Sequence, residues 1–158
     1  ILDGTNLIYI DECISSKQMI RFYHHLGHVF TPHTNASGKV FLSQFSKAEL
    51  ADYCKHHKFE PVTPKTIASA AELAKDLALT LKRGYALNDE ENIPGTRCFA
   101  VPIYNDKGHI VASVSVSGTL FQIPLEQIPS MVCVVNSILD EFYREYSPLL
   151  ILNNIFDM

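Results

Sequence analysis

Residues 110–118 read IVASVSVSG, with serine at every other position from 113. A period of two is the mark of an extended strand, so Ser113, Ser115 and Ser117 share one face and Val114 and Val116 the other. Upstream, residues 97–104 form a second extended run, and Asn105-Asp106-Lys107-Gly108 between the two is rich in turn formers. Residues 97–104 and 109–117 therefore read as a β-hairpin. Symmetric closure of a four-residue turn sets Cys98 opposite Ser115 and Thr96 near Ser117, with cross-strand neighbours roughly 4.5–5.5 Å apart. A bulge at Gly108 would slide this register by one residue. A face of small hydroxyls is a poor dry core and a poor water-facing surface. It suits the wall of a site for a small polar ligand; a half-exposed sheet face or core filler is the plain alternative.

The rest of the chain supplies layers for that hairpin. Residues 5–13 follow an Asp3-Gly4 turn and read as a strand, with residues 18–23 as its partner. Pro32 breaks the extended run, and Thr34 or Asn35 caps a helix through ASGKVFLSQF. Ser46-Lys47-Ala48-Glu49 is a capping box for a helix running to His56. Ser69-Ala70-Ala71-Glu72 is another, for a helix with Leu73, Leu77 and Leu81 at helical spacing and Gly84 at its C′ position. Residues 125–146 form the longest helix, lined on one side by Leu125, Ile128, Met131, Val135, Ile138, Leu139, Phe142 and Tyr146. Asp89-Glu90-Glu91 reads as a solvated loop. The order is strands, three helices, strands, helix. That is an α+β pattern with an antiparallel sheet, in one domain over residues 1–158.

The 158 residues are 47% hydrophobic and 19% charged, which suits one domain with its own core. A net charge of −4 and a pI near 5.9 argue against nucleic-acid binding by this segment itself. No apolar run is long enough to span a membrane, and no export signal is visible. Cys13, Cys54, Cys98 and Cys133 are widely spaced, so free thiols in a cytoplasmic protein are expected. The chain opens strand-like and without an initiator Met, as a piece of a longer protein would.

Three groupings bear on chemistry. His33-Thr34-Asn35-Ala36-Ser37-Gly38-Lys39 is a small-residue turn at a helix start. Backbone N–H groups and the positive end of the helix dipole can hold a carboxylate or a phosphate there. An ordinary capped helix, packed closely at Gly38, is the plain alternative. His24, His25, His28 and His33 crowd one region and His56-His57 another, but no HExxH or Cys/His pairing points to a metal. No metal or other cofactor is expected. Cys98 with His33 is the nucleophile pair to weigh. Without a nucleophile elbow or an identifiable third member, Cys98 reads as an inert pocket residue and no catalytic residue is assigned. Asn88, just before the acidic triplet, can turn inward.

These residues together resemble a known family. Gly84-Tyr85-Ala86, Asp89-Glu90-Glu91, Pro94-Gly95-Thr96-Arg97-Cys98 and the SVSVSG strand, in that order, are similar to the effector-binding domain of IclR-type transcriptional regulators. The segment from His33 to Lys39 matches that family's H-x-x-[AG]-x-G-K pattern. The likeness covers nearly the whole chain. It implies a GAF/profilin-like α+β fold, an antiparallel sheet flanked by helices, with a pocket for a small organic-acid effector such as a sugar acid or an aromatic acid. It implies a winged helix-turn-helix N-terminal to this segment, so that DNA is bound only through that missing domain. It further implies a homodimer or homotetramer and no enzymatic activity. By residue, the resemblance places the effector's carboxylate on the amides of Ala36 and Ser37 beside Gly38. It places the other polar groups on Cys98, Ser115 and Ser117, and apolar wall at Phe22 and Phe30. Asn88 stands where relatives often have aspartate. Thr96 stands where some have a larger apolar residue, which leaves room for a bigger, more hydroxylated ligand. The other readings are a GAF-like dimerisation module without ligand and a small hydrolase using Cys98.

Overall fold

A computed structural model describes residues 1–14, 26–27 and 29–146. In chain order these form β1 (Leu2–Asp3), β2 (Asn6–Ile8), β3 (Val29–Phe30), α1 (Ala36–Leu42), α2 (Lys47–His56), α3 (Ala70–Arg83), β4 (Ala86–Asp89), β5 (Thr96–Tyr104), β6 (Ile110–Thr119) and α4 (Ile128–Tyr146). The class is α+β, as expected. The described strands make two antiparallel three-stranded sheets, ordered β1-β2-β3 and β4-β5-β6.

The hairpin forms with a corrected register. Cys98 pairs with Ser117, Ala100 with Ser115, Pro102 with Ser113 and Thr96 with Thr119. Two one-residue departures from symmetric closure add together. The loop is one residue longer, because Asn105 N donates to His109 O at 2.9 Å and Tyr104 pairs with Ile110. Asn105 Oδ1 holds this loop by accepting from Lys107 N at 3.0 Å and His109 N at 2.9 Å. The second departure is a register shift between Ile103 and Tyr104, which leaves Val111 as the extra residue; the bulge is not at Gly108. Either slip alone would turn every β6 side chain to the opposite face. Together they restore it, so Cys98, Ser115 and Ser117 do share a face.

The two faces of this sheet pack differently. Phe99, Val101, Val114 and Val116 face α4, meeting Ile128, Val132 and Met131 together with Ile123 from the preceding loop. Ala86, Cys98 and Ala100 face α1, meeting Ala36 and Val40. The serines alternate with the α4-facing valines and so lie on the α1 side. Leu42, Tyr53, Leu73 and Leu77 build a third cluster between α1, α2 and α3.

Local signals set most helix ends. Ser46 and Glu49 form the reciprocal capping box of α2, at 3.2 and 2.7 Å. At α3, Ser69 Oγ accepts from Glu72 N at 3.2 Å, but Glu72 Oε2 reaches back to Ala68 N at 2.9 Å rather than to the cap residue. Gly84, at φ +79°, ends α3 in the left-handed conformation. Leu81 is 62% exposed, and Thr80 is buried instead. Positions 73, 77 and 81 drift around a helix of 3.6 residues per turn, so the buried stripe passes to 80. In α4, Ile138 and Phe142 of the apolar stripe are exposed as well.

Other expectations need correction. Residues 9–13 do not continue the strand; the ladder ends at Ile8, whose neighbour strands are β1 and β3. The helix capped by Asn35 stops at Leu42, with Gln44 N and Phe45 N tightening to three-residue bonds. Residues 86–89 are a strand paired to β5, not part of a loop. The expected strand at 18–23 and the apolar tail at 149–156 lie outside the described residues.

Candidate functional site

A cavity of about 720 Å3 runs along β6. That size falls in the range of small-molecule sites. One wall is the serine face, with Ser113, Ser115 and Ser117; opposite it lie Ser37 of α1 and the segment from Tyr9 to Ile14. The cavity also reaches round to Val114 and Val116 on the other face of β6, and to Ile123 and Met131 beyond them. Gln122 adds an amide, and Asp11 and Glu12 add carboxylates. Among the described residues its lining holds no lysine, arginine or histidine.

The polar end of the cavity is organised by Asn35. Its Oδ1 caps α1 by accepting from Ser37 N at 3.2 Å, and also accepts from the Tyr9 hydroxyl at 3.0 Å. The Ser37 and Ser115 hydroxyls lie near it and favour its charged form. Burial holds the Tyr9 phenol above its ordinary pKa, so it stays protonated. Its ring packs edge-on against Phe30, centroids 4.9 Å apart. Sequence reasoning missed Tyr9. Its only signal was an aromatic just before Asp11-Glu12, at the point where a regular strand was expected.

The residues singled out in sequence divide into two groups. Ser37, Ser115 and Ser117 meet on the cavity wall, and Phe30 buttresses it through Tyr9. Ala36, Gly38, Asn88 and Cys98 stand behind that wall rather than on it. Ala36 is packed into the core with Val40, Ala86 and Ala100. A Cβ at Gly38 would lie 2.3 Å from both Cα and O of Pro32, so the glycine is required by close backbone packing. Asn88 is buried; it donates to Thr34 O at 2.7 Å and accepts from Glu91 N at 3.1 Å. Cys98 faces Ser117 across the ladder, and burial pushes its thiol pKa up, with the Ser117 hydroxyl opposing. Phe22 lies outside the described residues.

The acidic triplet is not a solvated loop. Asp89 binds Arg97 Nε at 2.6 Å and Lys65 Nζ at 3.1 Å; burial works against its charge, but these bonds hold its pKa below the ordinary value. Glu90, at φ +65°, binds Lys65 at 2.6 Å and Gly95 N at 2.9 Å. Glu91 reaches inward. Both of its oxygens lie 2.8 Å from Lys39 Nζ, and Asp76 Oδ2 approaches the same ammonium at 3.0 Å. Lys39 is 0% exposed. A side chain matched above only as the end of a motif is therefore the centre of a buried ion network behind the site.

His33 does not pair with Cys98. Its Nδ1 lies 2.8 Å from the Tyr53 hydroxyl, and its ring packs on Phe59 at 4.6 Å. Burial, with His57 and Lys39 nearby, lowers its pKa to about 4. A raised thiol and a histidine bonded elsewhere are the reverse of an activated nucleophile. Among the described residues, no three His, Cys, Asp or Glu side chains converge as a metal set. His24, His25 and His28 lie outside the described residues.

The sequence profile described as "Bacterial transcriptional regulator IclR C-terminal" matches residues 1–139. The chain belongs to the IclR family. XynR, an HTH-type transcriptional regulator of Escherichia coli (strain K12), is 38% identical over 117 residues, which is 74% of this chain and 46% of XynR. The chain thus spans less than half the length of that IclR-family relative. The crystal structure of the Thermotoga maritima IclR matches with a TM-score of 0.81 at 35% identity, covering 91% of this chain and 58% of that one. A double mutant of the inducer-binding domain of PobR from Acinetobacter, in complex with 3-hydroxybenzoic acid, shares the fold at a TM-score of 0.79 and 22% identity, covering 90% of this chain and 83% of that one. The chain is therefore the C-terminal domain of an IclR-family transcriptional regulator, and the relatives found are regulators rather than enzymes.

Proposed function

We propose that this domain senses a small hydroxylated organic acid and relays its occupancy to a winged helix-turn-helix N-terminal to it. The observation that carries this reading is the cavity whose wall joins Ser37, Ser115 and Ser117 from two separate elements. In this reading the acid group meets Ser37 and Ser115, at the turn of Ala36 and Ser37, and the hydroxyls meet Ser117 and the rest of the serine face. Relatives support the class. The PobR domain of like fold holds an aromatic hydroxy acid. DNA is contacted only by the N-terminal domain, and the effector shifts a homodimer or homotetramer between arrangements of different operator affinity. The exposed Val134, Ile138 and Phe142 of α4 give a subunit contact apolar surface to cover.

The test is a thermal-shift panel of organic acids, followed by titration calorimetry. An effector raises the melting temperature. Ser115→Ala and Ser117→Ala each weaken its affinity by about 0.5–3 kcal/mol, the range of a hydrogen bond to a neutral or charged partner. If both variants bind as the wild type does, the pocket assignment is wrong. If no acid shifts the melting temperature, the domain serves as an assembly module instead.

A further inference from the structure

Helix α1 is seven residues long and carries Ser37 to the cavity wall. A helix that short does not hold itself in water, so its place is set by what grips it from outside. Two grips flank Ser37, and both come from the corner that follows β4. Ahead of Ser37, Asn88 Nδ2 donates to Thr34 O at 2.7 Å. Behind it, Lys39 Nζ lies 2.8 Å from both oxygens of Glu91. The two grips are joined, because Glu91 N donates to Asn88 Oδ1 at 3.1 Å. The Asn88 amide cannot be turned over, since a carbonyl needs a donor and an N–H an acceptor. The corner is itself firmly held. Glu90 sits at φ +65°, a conformation a non-glycine residue keeps only when its surroundings enforce it. Here Glu90 N donates to Thr96 O at 2.9 Å, and the Thr63 and Thr66 hydroxyls donate to Glu90 O at 2.8 Å and Glu91 O at 2.6 Å.

Resting on the function proposed above, we propose that Asn88 is a positioning residue for the site: with Glu91 it clamps α1 on both sides of Ser37 and so registers Ser37 against the serines of β6. Asn88 is buried behind the wall, so it acts through α1 and not by touching the ligand. The close Gly38–Pro32 contact ties α1 to the turn at 32–34. Tyr53 ties that turn to α2, its hydroxyl accepting from His33 N at 3.2 Å. Asn88 ties the same turn to the sheet β4-β5-β6, which carries Ser115 and Ser117. The role requires an amide. A carboxylate at position 88 could accept from Glu91 N, but it would set an oxygen against Thr34 O with no proton between them. Lys39 does not replace this link, because it lies a full turn beyond Asn35, where α1 begins.

The experiment uses Asn88→Asp, which exchanges the amide nitrogen for an oxygen and keeps the shape. Hydrogen exchange followed by NMR at pH 7, without ligand, should show the Ser37 and Lys39 amides exchanging about 5- to 150-fold faster than in the wild type, the span of a buried carbonyl left without its donor. Amides of α4 should change less. Calorimetry with glycolate, D-gluconate and 3-hydroxybenzoate should show Asn88→Asp weakening whichever acid the wild type binds. Added to Ser37→Ala, Asn88→Asp should cost no further affinity; added to Ser117→Ala, the two losses should sum. A residue with a merely structural role would cost the same on top of either serine variant. If Asn88→Asp does not fold, Asn88→Ser removes the amide without adding a charge and takes the same measurements. Unchanged exchange at Ser37, or an affinity loss that adds fully to that of Ser37→Ala, overturns the proposal. Faster exchange at Ser37 in a protein that binds none of the three acids upholds the clamp and counts against the sensing function alone.

Discussion

Acidification from pH 8 to pH 5 should cost the fold about 2 kcal/mol through one residue, His33. The ring is 1% exposed, packed on Phe59, with Nδ1 2.8 Å from the Tyr53 hydroxyl. That hydroxyl also accepts from the His33 backbone N at 3.2 Å. A neutral ring with Nδ1 accepting from Tyr53 satisfies both bonds, whereas an added proton on Nδ1 removes that acceptor. Burial is the main cause of the lowered pKa, reinforced by His57 and Lys39, and brings it from 6.5 to about 4. Between those values the unfolded chain binds the proton and the folded chain does not. The stabilisation is therefore complete above an ordinary histidine pKa and is lost as pH falls from there toward 4. Taking the two values as they stand, linkage gives about 2 kcal/mol lost by pH 5. Asp89, Glu90 and Glu49 titrate below their ordinary carboxylate values and contribute little over this window, whereas Glu91, raised by burial, acts in the opposite sense, so the His33 contribution is read as the difference between wild type and a His33 variant. Urea unfolding at several pH values, followed by circular dichroism because the chain has no tryptophan, measures the slope. His33→Gln should flatten it. Equal pH dependence in variant and wild type, or a His33 ring proton titrating near pH 6.5 by NMR, would refute the reasoning.

Two further predictions concern the layer behind the cavity. Lys39→Met leaves the Glu91 carboxylate buried without its bidentate partner and should cost about 3–5 kcal/mol by chemical denaturation; adding Glu91→Leu should recover most of that loss. A loss under about 1 kcal/mol would mean that water screens the pair. Gly38→Ala drives a Cβ to 2.3 Å from the Pro32 backbone, where no flexible side chain can give way, and should cost about 3 kcal/mol or abolish folding. An unchanged melting temperature would show that the 3₁₀ turn at 32–34 can move aside.

What the sequence made legible was local in origin. Capping by Ser46 and Glu49, by Asn35 and by Gly84 depends on neighbours within four residues, and each appears where the spacing puts it. The period of two in SVSVS decides which side chains share a face, and that held. What failed needed distant partners. Lys39 and Glu91 are 52 positions apart, and nothing local marks either as buried. The acidic triplet looked solvated because charges default to water; only the arrival of Lys39, Lys65 and Arg97 changes where those carboxylates sit. The strand at 86–89 carries a buried asparagine and an ion-paired aspartate, so it shows no apolar alternation to find.

The hairpin shows why a face can be read when a partner cannot. Symmetric closure missed one loop residue and one bulge residue, and each is set by details such as Asn105 Oδ1 bridging two amides. Parity survived because the errors were two; a single one would have turned Val114 and Val116 toward α1 and the serines toward α4. The site's chemistry rests on the same distinction. The glycine that made the turn at 36–38 look like an anion cradle is held by Pro32, and the Ser37 amide already serves Asn35. Tyr9 bonds the same amide oxygen, although it comes from a segment that shows no strand periodicity and so had no predicted place.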